Sequence, residues 1–297
     1  MQLTNRTVLI TGGTSGIGLA LARLLSERGN AVAVTGRDPA KLAAAERAVP
    51  GLRAYRSDVR DPAAVAALRE RVLADLPALD VLVNNAGVMR NLDFGAQPAG
   101  QSVDDVTREV DVGLSGPVHM VQQFLPHLRA RAQEAGADAL IVNVTSGLAF
   151  MPYPLSPVYS AAKAGLHAYT RVLRAQLAGT GVRVVELAPP PVETALFRGE
   201  FAEATKGQKA MEPAVLAARA VAAIEAGRLE IRPGLSSVLK LISRVAPDLG
   251  FRRLVKEVAP RRDSRGGRNR TTRARGDAPQ EPAHASAVAT VSHQRRP

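Results

Sequence analysis

The first thirty residues restrict the fold more than any other part of the chain. Thr7-Val-Leu-Ile-Thr11 is an apolar, β-branched run, Thr11-Gly-Gly-Thr-Ser-Gly-Ile-Gly18 follows it at once, and Leu19 to Arg28 has helical spacing. Strand, glycine turn and helix stand in that order. Glycines at 12, 16 and 18 permit tight turning and close backbone approach, while the first free N–H groups of the helix point at a ligand phosphate. This predicts the start of a dinucleotide-binding unit, with Thr11, Gly12, Thr14, Ser15, Gly16, Ile17 and Gly18 as candidate contacts. A glycine-rich turn alone is weak evidence, because many phosphate binders and some plain loops share it.

The alternation continues beyond the turn. Strands are expected at Asn30–Arg37, Leu52–Ser57, Leu79–Val83, Ala139–Thr145, Gly181–Leu187 and Leu229–Ile231, and helices at Pro39–Ala48, Pro62–Asp75, Ser102–Arg131, after Ser156, and at Pro213–Gly227. Repeated βα units predict an α/β fold: one domain with a doubly wound parallel sheet of about seven strands and helices on both faces. At 297 residues, 46 % of them hydrophobic, the chain can bury such a core. Asp58 and Asn84-Asn-Ala-Gly87 end strands, which places them at the ligand edge.

Ser146 ends another strand, and Tyr159 and Lys163 follow it at spacings of thirteen and four residues. Ser156-Pro157 marks a helix start, a cap residue before a first-turn proline. On that helix Tyr159 and Lys163 share one face. A tyrosine is a poor base at neutral pH, and a nearby lysine cation is expected to lower its pKa. A fall to about 7 would correspond to roughly 4 kcal/mol of differential stabilisation. Tyr159 is thus the candidate acid/base, Ser146 the group holding a carbonyl oxygen, and Lys163 a tuning residue within reach of a cofactor ribose.

Arg37 closes the second strand with no carboxylate in the two preceding positions. An arginine there suits a 2′-phosphate, whereas an Asp or Glu suits the free hydroxyl of NAD, so NADP is expected and NAD is the alternative. Asp38 follows directly and leaves open that the pair are solvated loop charges.

Together these motifs resemble a short-chain dehydrogenase/reductase with a Rossmann fold. Thr11-Gly-x-x-x-Gly-x-Gly18, Asp58-Val59, Asn84-Asn-Ala-Gly87, Ser146 and Tyr159-x-x-x-Lys163 stand in that family's order over about residues 5 to 235. The resemblance implies that Ser146, Tyr159 and Lys163 are catalytic and that Asp58 and Val59 contact the adenine. It also implies that Asn85, Ala86 and Gly87 shape the cofactor floor, that Lys163 binds the nicotinamide ribose, and that Pro189, Val192 and Thr194 are further cofactor contacts. A homodimer or homotetramer is implied, through the helix carrying Ala161, Ala162, Ala164, Gly165 and Ala168.

Two positions depart from the family's pattern. Gly113, in Asp111-Val-Gly-Leu-Ser-Gly-Pro117, stands where the family has an asparagine that positions a water, so a working but slowed proton relay is expected. A glycine within a helix also costs about 1 kcal/mol relative to alanine. Pro190 replaces a glycine beside the nicotinamide and offers no N–H.

Residues 195 to 212 read as a lid with Leu196, Phe197, Phe201 and Met211 as apolar candidates, facing Leu148 to Leu155. Such walls suit an apolar carbonyl or secondary alcohol, and packing is an equal reading. The expected organisation is 1–234 for the dehydrogenase domain, 235–256 for an amphipathic helical extension, and 257–297 for a basic, disordered tail. The extension is expected to pack on its own domain or a sister subunit, with peripheral membrane contact as the second choice.

The net charge of +12 invites a nucleic-acid reading, yet half of it lies in residues 260–297, where nine arginines face three carboxylates. No zinc finger or RNA-binding aromatic motif occurs, so no specific nucleic-acid partner is expected. The absence of cysteine excludes disulfides and thiolate metal sites, and the five histidines lack metal-ligand spacing, so no metal is expected. No leader or twenty-residue apolar run is present, which predicts a cytoplasmic protein. The function expected is hydride transfer between a nicotinamide cofactor and a carbonyl or alcohol. The alternatives are a dinucleotide-binding sensor with little catalysis, favoured by Gly113 and Pro190, and, more weakly, a methyltransferase-like use of the fold that leaves Tyr159 and Lys163 without a task.

Overall fold

β1 (Thr7–Thr11), β4 (Leu79–Asn84) and β5 (Ala139–Val144) are buried at every residue, as parallel strands covered on both faces must be. The computed structural model describes residues 1–94, 102–134 and 138–262, with side chains through 256. With β2 (Ala31–Gly36), β3 (Arg53–Arg56), β6 (Val182–Leu187) and β7 (Glu230–Ile231) these strands form one parallel sheet in the order β3-β2-β1-β4-β5-β6-β7. The order reverses between β1 and β4, which is where such sheets open a crevice at their C-terminal edge.

Alternation along β1 sends Val8 and Ile10 to one face and Leu9 to the other, so two cores form. On the first face, α1 (Gly16–Glu27) and α8 (Pro213–Glu225) pack Leu21, Ala22 and Leu25 with Leu216, Ala217 and Val221. On the second, α3 (Pro62–Asp75) and α5 (Gly116–Arg131) bring Val65, Leu68 and Val72 against Met120, Phe124 and Leu128. Two helix starts follow directly from sequence. Asp38 accepts from the N–H of Ala40 at 2.8 Å to begin α2 (Pro39–Ala48), and Asp61 accepts from Ala63 at 2.8 Å to begin α3.

Several boundaries differ from expectation. The helix expected over Ser102–Arg131 is α4 (Val103–Val110), a π turn (Asp111–Ser115) and α5. Pro117 has no N–H to return to the Gly113 carbonyl, and Gly116 donates instead to Asp111, five residues back. Likewise the single extension helix is α9 (Leu235–Val245) followed by α10 (Pro247–Arg262), broken where Pro247 interrupts the ladder. Helix α10 continues to Arg262, so residues 257–262, expected as tail, are helical. Residues 263–297 lie outside the described residues, and with them the expectation of disorder. Contacts group Met1–Pro260 and Arg261–Pro297 as separate units. Among the described residues no helix is long and apolar enough to cross a membrane.

Candidate active site

A cleft of about 1380 Å³ opens at the sheet edge between β1 and β4. That exceeds the roughly 300–1,000 Å³ of ordinary small-molecule sites, and it accommodates a dinucleotide together with a substrate. The floor is backbone. Gly12 (φ +65°) passes so close to the next strand that a Cβ there would lie 2.8 Å from the Ala86 Cα, and Gly16 (φ +54°) adopts another conformation that L side chains avoid. Behind them Ser15 is extended, and α1 begins without a side-chain cap, leaving its first N–H groups directed at the cleft.

Thr11 and Gly18, both expected as cofactor contacts, do not line the cleft; they build it. The Thr11 hydroxyl accepts from the N–H groups of Asn85 and Ala86, each at 3.0 Å, and is 1 % exposed. Asn85 in turn donates to the carbonyls of Thr11 and Gly12 at 3.0 and 3.1 Å. A Cβ on Gly18 would meet the Asn85 amide nitrogen at 2.5 Å. The other expected cofactor positions, from Gly12 through Thr194, face the cleft.

At the far end Arg37, Asp38 and Lys41 line the cleft, and one oxygen of the Asp38 carboxylate caps α2. Asp58 sits 4.0 Å from Arg37 and is bonded by Arg60 at 2.7 Å. Burial works against the Asp58 carboxylate, and the Arg60 hydrogen bonds outweigh it, holding the acid below its usual range.

At the near end Ser146 follows β5 and α6 (Pro157–Gln176) carries Tyr159 and Lys163. The Ser146 hydroxyl accepts from the Leu148 N–H at 3.1 Å and stands beside Tyr159 in the same cleft. Lys163 Nζ donates to the Val144 carbonyl at 2.8 Å and lies 5.7 Å from the Tyr159 ring centre. The expected fall in the Tyr159 pKa is not what this geometry produces. Burial pushes the phenol up to about 12, the Ser146 hydrogen bond works against that, and the Glu109 charge adds to it. The same burial pushes Lys163 down to about 8. Desolvation dominates both shifts, because Tyr159 is 8 % and Lys163 3 % exposed. Ser156 stands at the cap position of α6, but its buried hydroxyl makes no cap bond.

The family model described as short chain dehydrogenase matches residues 6–205. An uncharacterized oxidoreductase, DltE, of Bacillus subtilis is 45 % identical over 196 residues, 66 % of this chain and 75 % of that protein. A cis-4-hydroxycyclohexanecarboxylate dehydrogenase of Sinomonas cyclohexanicum is 37 % identical over 220 residues, 70 % of this chain and 82 % of that protein. A 3-ketoacyl-(acyl-carrier-protein) reductase from Brucella melitensis, solved with NADH, superposes with a TM-score of 0.67 at 28 % identity, covering 75 % of this chain and 91 % of that one. The chain belongs to the short-chain dehydrogenase family. It is therefore an NAD(P)-dependent dehydrogenase or reductase.

As in the expectation for this short-chain dehydrogenase, Gly113 presents no side chain; it lies in the π turn, with space for a Cβ at 3.5 Å from Ala162. A Cβ on Gly165 would meet Leu114 at 2.9 Å. These two small residues of α6 thus admit the chain's own π turn, while Ala161, Ala164 and Ala168 are exposed. In the lid, Phe201 is 2 % exposed and reaches the cleft wall with Leu196 and Phe197 from and beyond α7 (Ala195–Arg198). Met211 does not: it bridges Val192 and packs on the core beside α8.

Sequence reasoning missed Glu109. Its carboxylate is 1 % exposed, accepts from the Arg90 N–H at 2.7 Å, and leaves one oxygen without a partner. Burial pushes its pKa up to about 6, against the pull of Arg90. The available signal was its position one helical turn before Gly113, on the face turned toward the catalytic helix.

Proposed function

We propose that this protein interconverts a carbonyl and an alcohol on an apolar small molecule and prefers NADP. One observation carries the reading: a single cleft has Ser146, Tyr159 and Lys163 at one end and Arg37 with Lys41 at the other. When bound, the nicotinamide supplies or takes the hydride at the substrate carbon. Tyr159, protonated at neutral pH, gives its proton to the carbonyl oxygen in reduction and recovers it in oxidation. Ser146 holds that oxygen by a second hydrogen bond. Lys163 braces the strand end through Val144 and faces Gly87, close to where a ribose would lie.

The glycine turn and the free N–H groups of α1 suit the diphosphate, with Thr14, Ser15, Gly16 and Ile17 around it. Asp58 and Val59 would hold the adenine, and Asn85, Ala86 and Gly87 would hold the nicotinamide half. Pro189, Val192 and Thr194 would contact the same half. Arg37 and Lys41 suit the 2′-phosphate, and the Asp38 carboxylate is engaged through one oxygen in the cap of α2. Leu148, Tyr153, Leu196, Phe197 and Phe201 give the substrate end apolar walls.

Titrating NADPH and NADH separately tests the cofactor assignment. NADPH should bind at least about tenfold more tightly, a difference of roughly 1.4 kcal/mol, and Arg37→Ala should erase it. An unchanged preference refutes the ribose assignment. Gly113 favours the second reading, a nucleotide-binding sensor; tight NADPH binding without turnover on any of a panel of apolar ketones would establish that reading instead.

A further inference from the structure

Helix α9 turns its polar side inward. Ser236 and Lys240, one turn apart, are buried; Lys240 pairs with Glu230 at 3.1 Å and lies 4.8 Å over the Phe150 ring. The opposite sector holds Val238, Leu241 and Val245, which are 48 %, 61 % and 75 % exposed. Leu249 of α10 adds an apolar side chain that is 72 % exposed. The expected apolar face is therefore split: Leu239 and Ile242 turn toward the domain, while Val238 and Val245, with Leu241, stay exposed because the Lys240–Glu230 pair sets the helix's rotation. Apolar stripes of this size on a rim of polar residues mark interaction surfaces.

The charges around the stripe indicate what covers it. In residues 235–256 the exposed ionic side chains are Arg244, Arg252, Arg253 and Lys256, against Asp248 alone. Residues 257–297 then carry nine arginines against four carboxylates. A two-fold contact with a second copy would set these cations against their own equivalents, which opposes association. An anionic lipid surface satisfies both the apolar side chains and the cations.

We infer that the α9–α10 face docks this protein on an anionic lipid surface, with Val238, Leu241, Val245 and Leu249 entering the boundary between headgroups and acyl chains. The face adjoins the active-site cleft, because Leu235, Leu239 and Leu254 of the same two helices line it. Docking thus sets the cleft beside the lipid. The inference does not depend on the cofactor or the substrate.

Co-sedimentation of the full chain with vesicles provides the test. Binding to phosphatidylcholine vesicles containing phosphatidylglycerol should exceed binding to pure phosphatidylcholine by at least about tenfold, and should weaken as salt shortens the screening length. The L241N/V245N double variant keeps every arginine; it should lose about tenfold in vesicle binding while its melting temperature is unchanged. Leu249→Asn, on the other helix, gives an independent check if the double variant unfolds. Three results would overturn the inference: no vesicle binding, equal binding by wild type and both variants, which means adsorption through the basic tail, or a dimer in light scattering that the variants split.

Discussion

Lys163 donates to the Val144 carbonyl at 2.8 Å, and its ammonium lies beside the Tyr159 ring rather than on the phenol oxygen. The lysine therefore acts first on the strand end that carries Ser146, and the tyrosine stays a neutral acid, pushed up to about 12. Tyr159→Phe should cost about 10²- to 10⁴-fold in turnover, since it removes only the proton donor. NADPH affinity, followed by fluorescence, should be retained. A variant with wild-type turnover would remove Tyr159 from the chemistry.

Glu109 supplies a test by pH. Its folded-state pKa is raised from 4.5 to about 6, so the folded chain binds this proton more tightly than the unfolded chain does. The corresponding stability is fully present below about pH 4.5 and is lost as pH rises through 6, at most roughly 2 kcal/mol for such a difference. Glu109→Gln retains an acceptor for the Arg90 N–H and removes the charge. The variant should thus melt higher than wild type at pH 7, with the advantage gone near pH 4.5. An advantage that does not vary with pH would mean that the carboxylate is not the cause.

Gly113→Asn tests the missing relay. A Cβ at this position meets Ala162 at 3.5 Å, an ordinary contact, so the chain should accept the side chain without unfolding. Turnover should rise while the affinity for NADPH stays level. Turnover that is flat or lower would argue that the π turn needs no side chain to hold its water.

The sheet was legible because its signals are local and repeated: apolar β-branched runs, Asp-Pro helix starts at 38 and 61, and glycines where backbones approach. The grouping of Ser146, Tyr159 and Lys163 was legible from spacing on a strand end and one helix face. What escaped depended on burial and orientation. The net shift of Tyr159 runs opposite to the expected fall because the desolvation of the group has no sequence signature. The buried charge of Glu109 escaped for the same reason. The apolar stripe of α9 was visible as a pattern, but only the Lys240–Glu230 pair decides that it faces outward. Pro117 and Pro247, neither of which can donate the next N–H, were the signals for the π turn and the break after α9 that the expectation of unbroken helices passed over.

Gly18→Ala isolates the role of residues that shape the cleft without lining it. The added methyl would lie 2.5 Å from both the Asn85 amide and the Gly12 carbonyl, two groups already bonded to each other at 3.1 Å. Neither can retreat cheaply, because Gly12 is backbone and Asn85 also holds the Thr11 carbonyl. Such overpacking typically costs about 1–3 kcal/mol, and here it also pushes on the turn that receives the diphosphate. The variant should melt lower and bind NADPH more weakly. Gly51→Ala is the control: it has φ +77° and nothing within 4 Å, so it should cost only the strain of a left-handed alanine, roughly 1 kcal/mol, and leave NADPH affinity alone. Equal losses of affinity in the two variants would show that global stability, and not the link from Gly18 through Asn85 to the glycine turn, governs nucleotide binding.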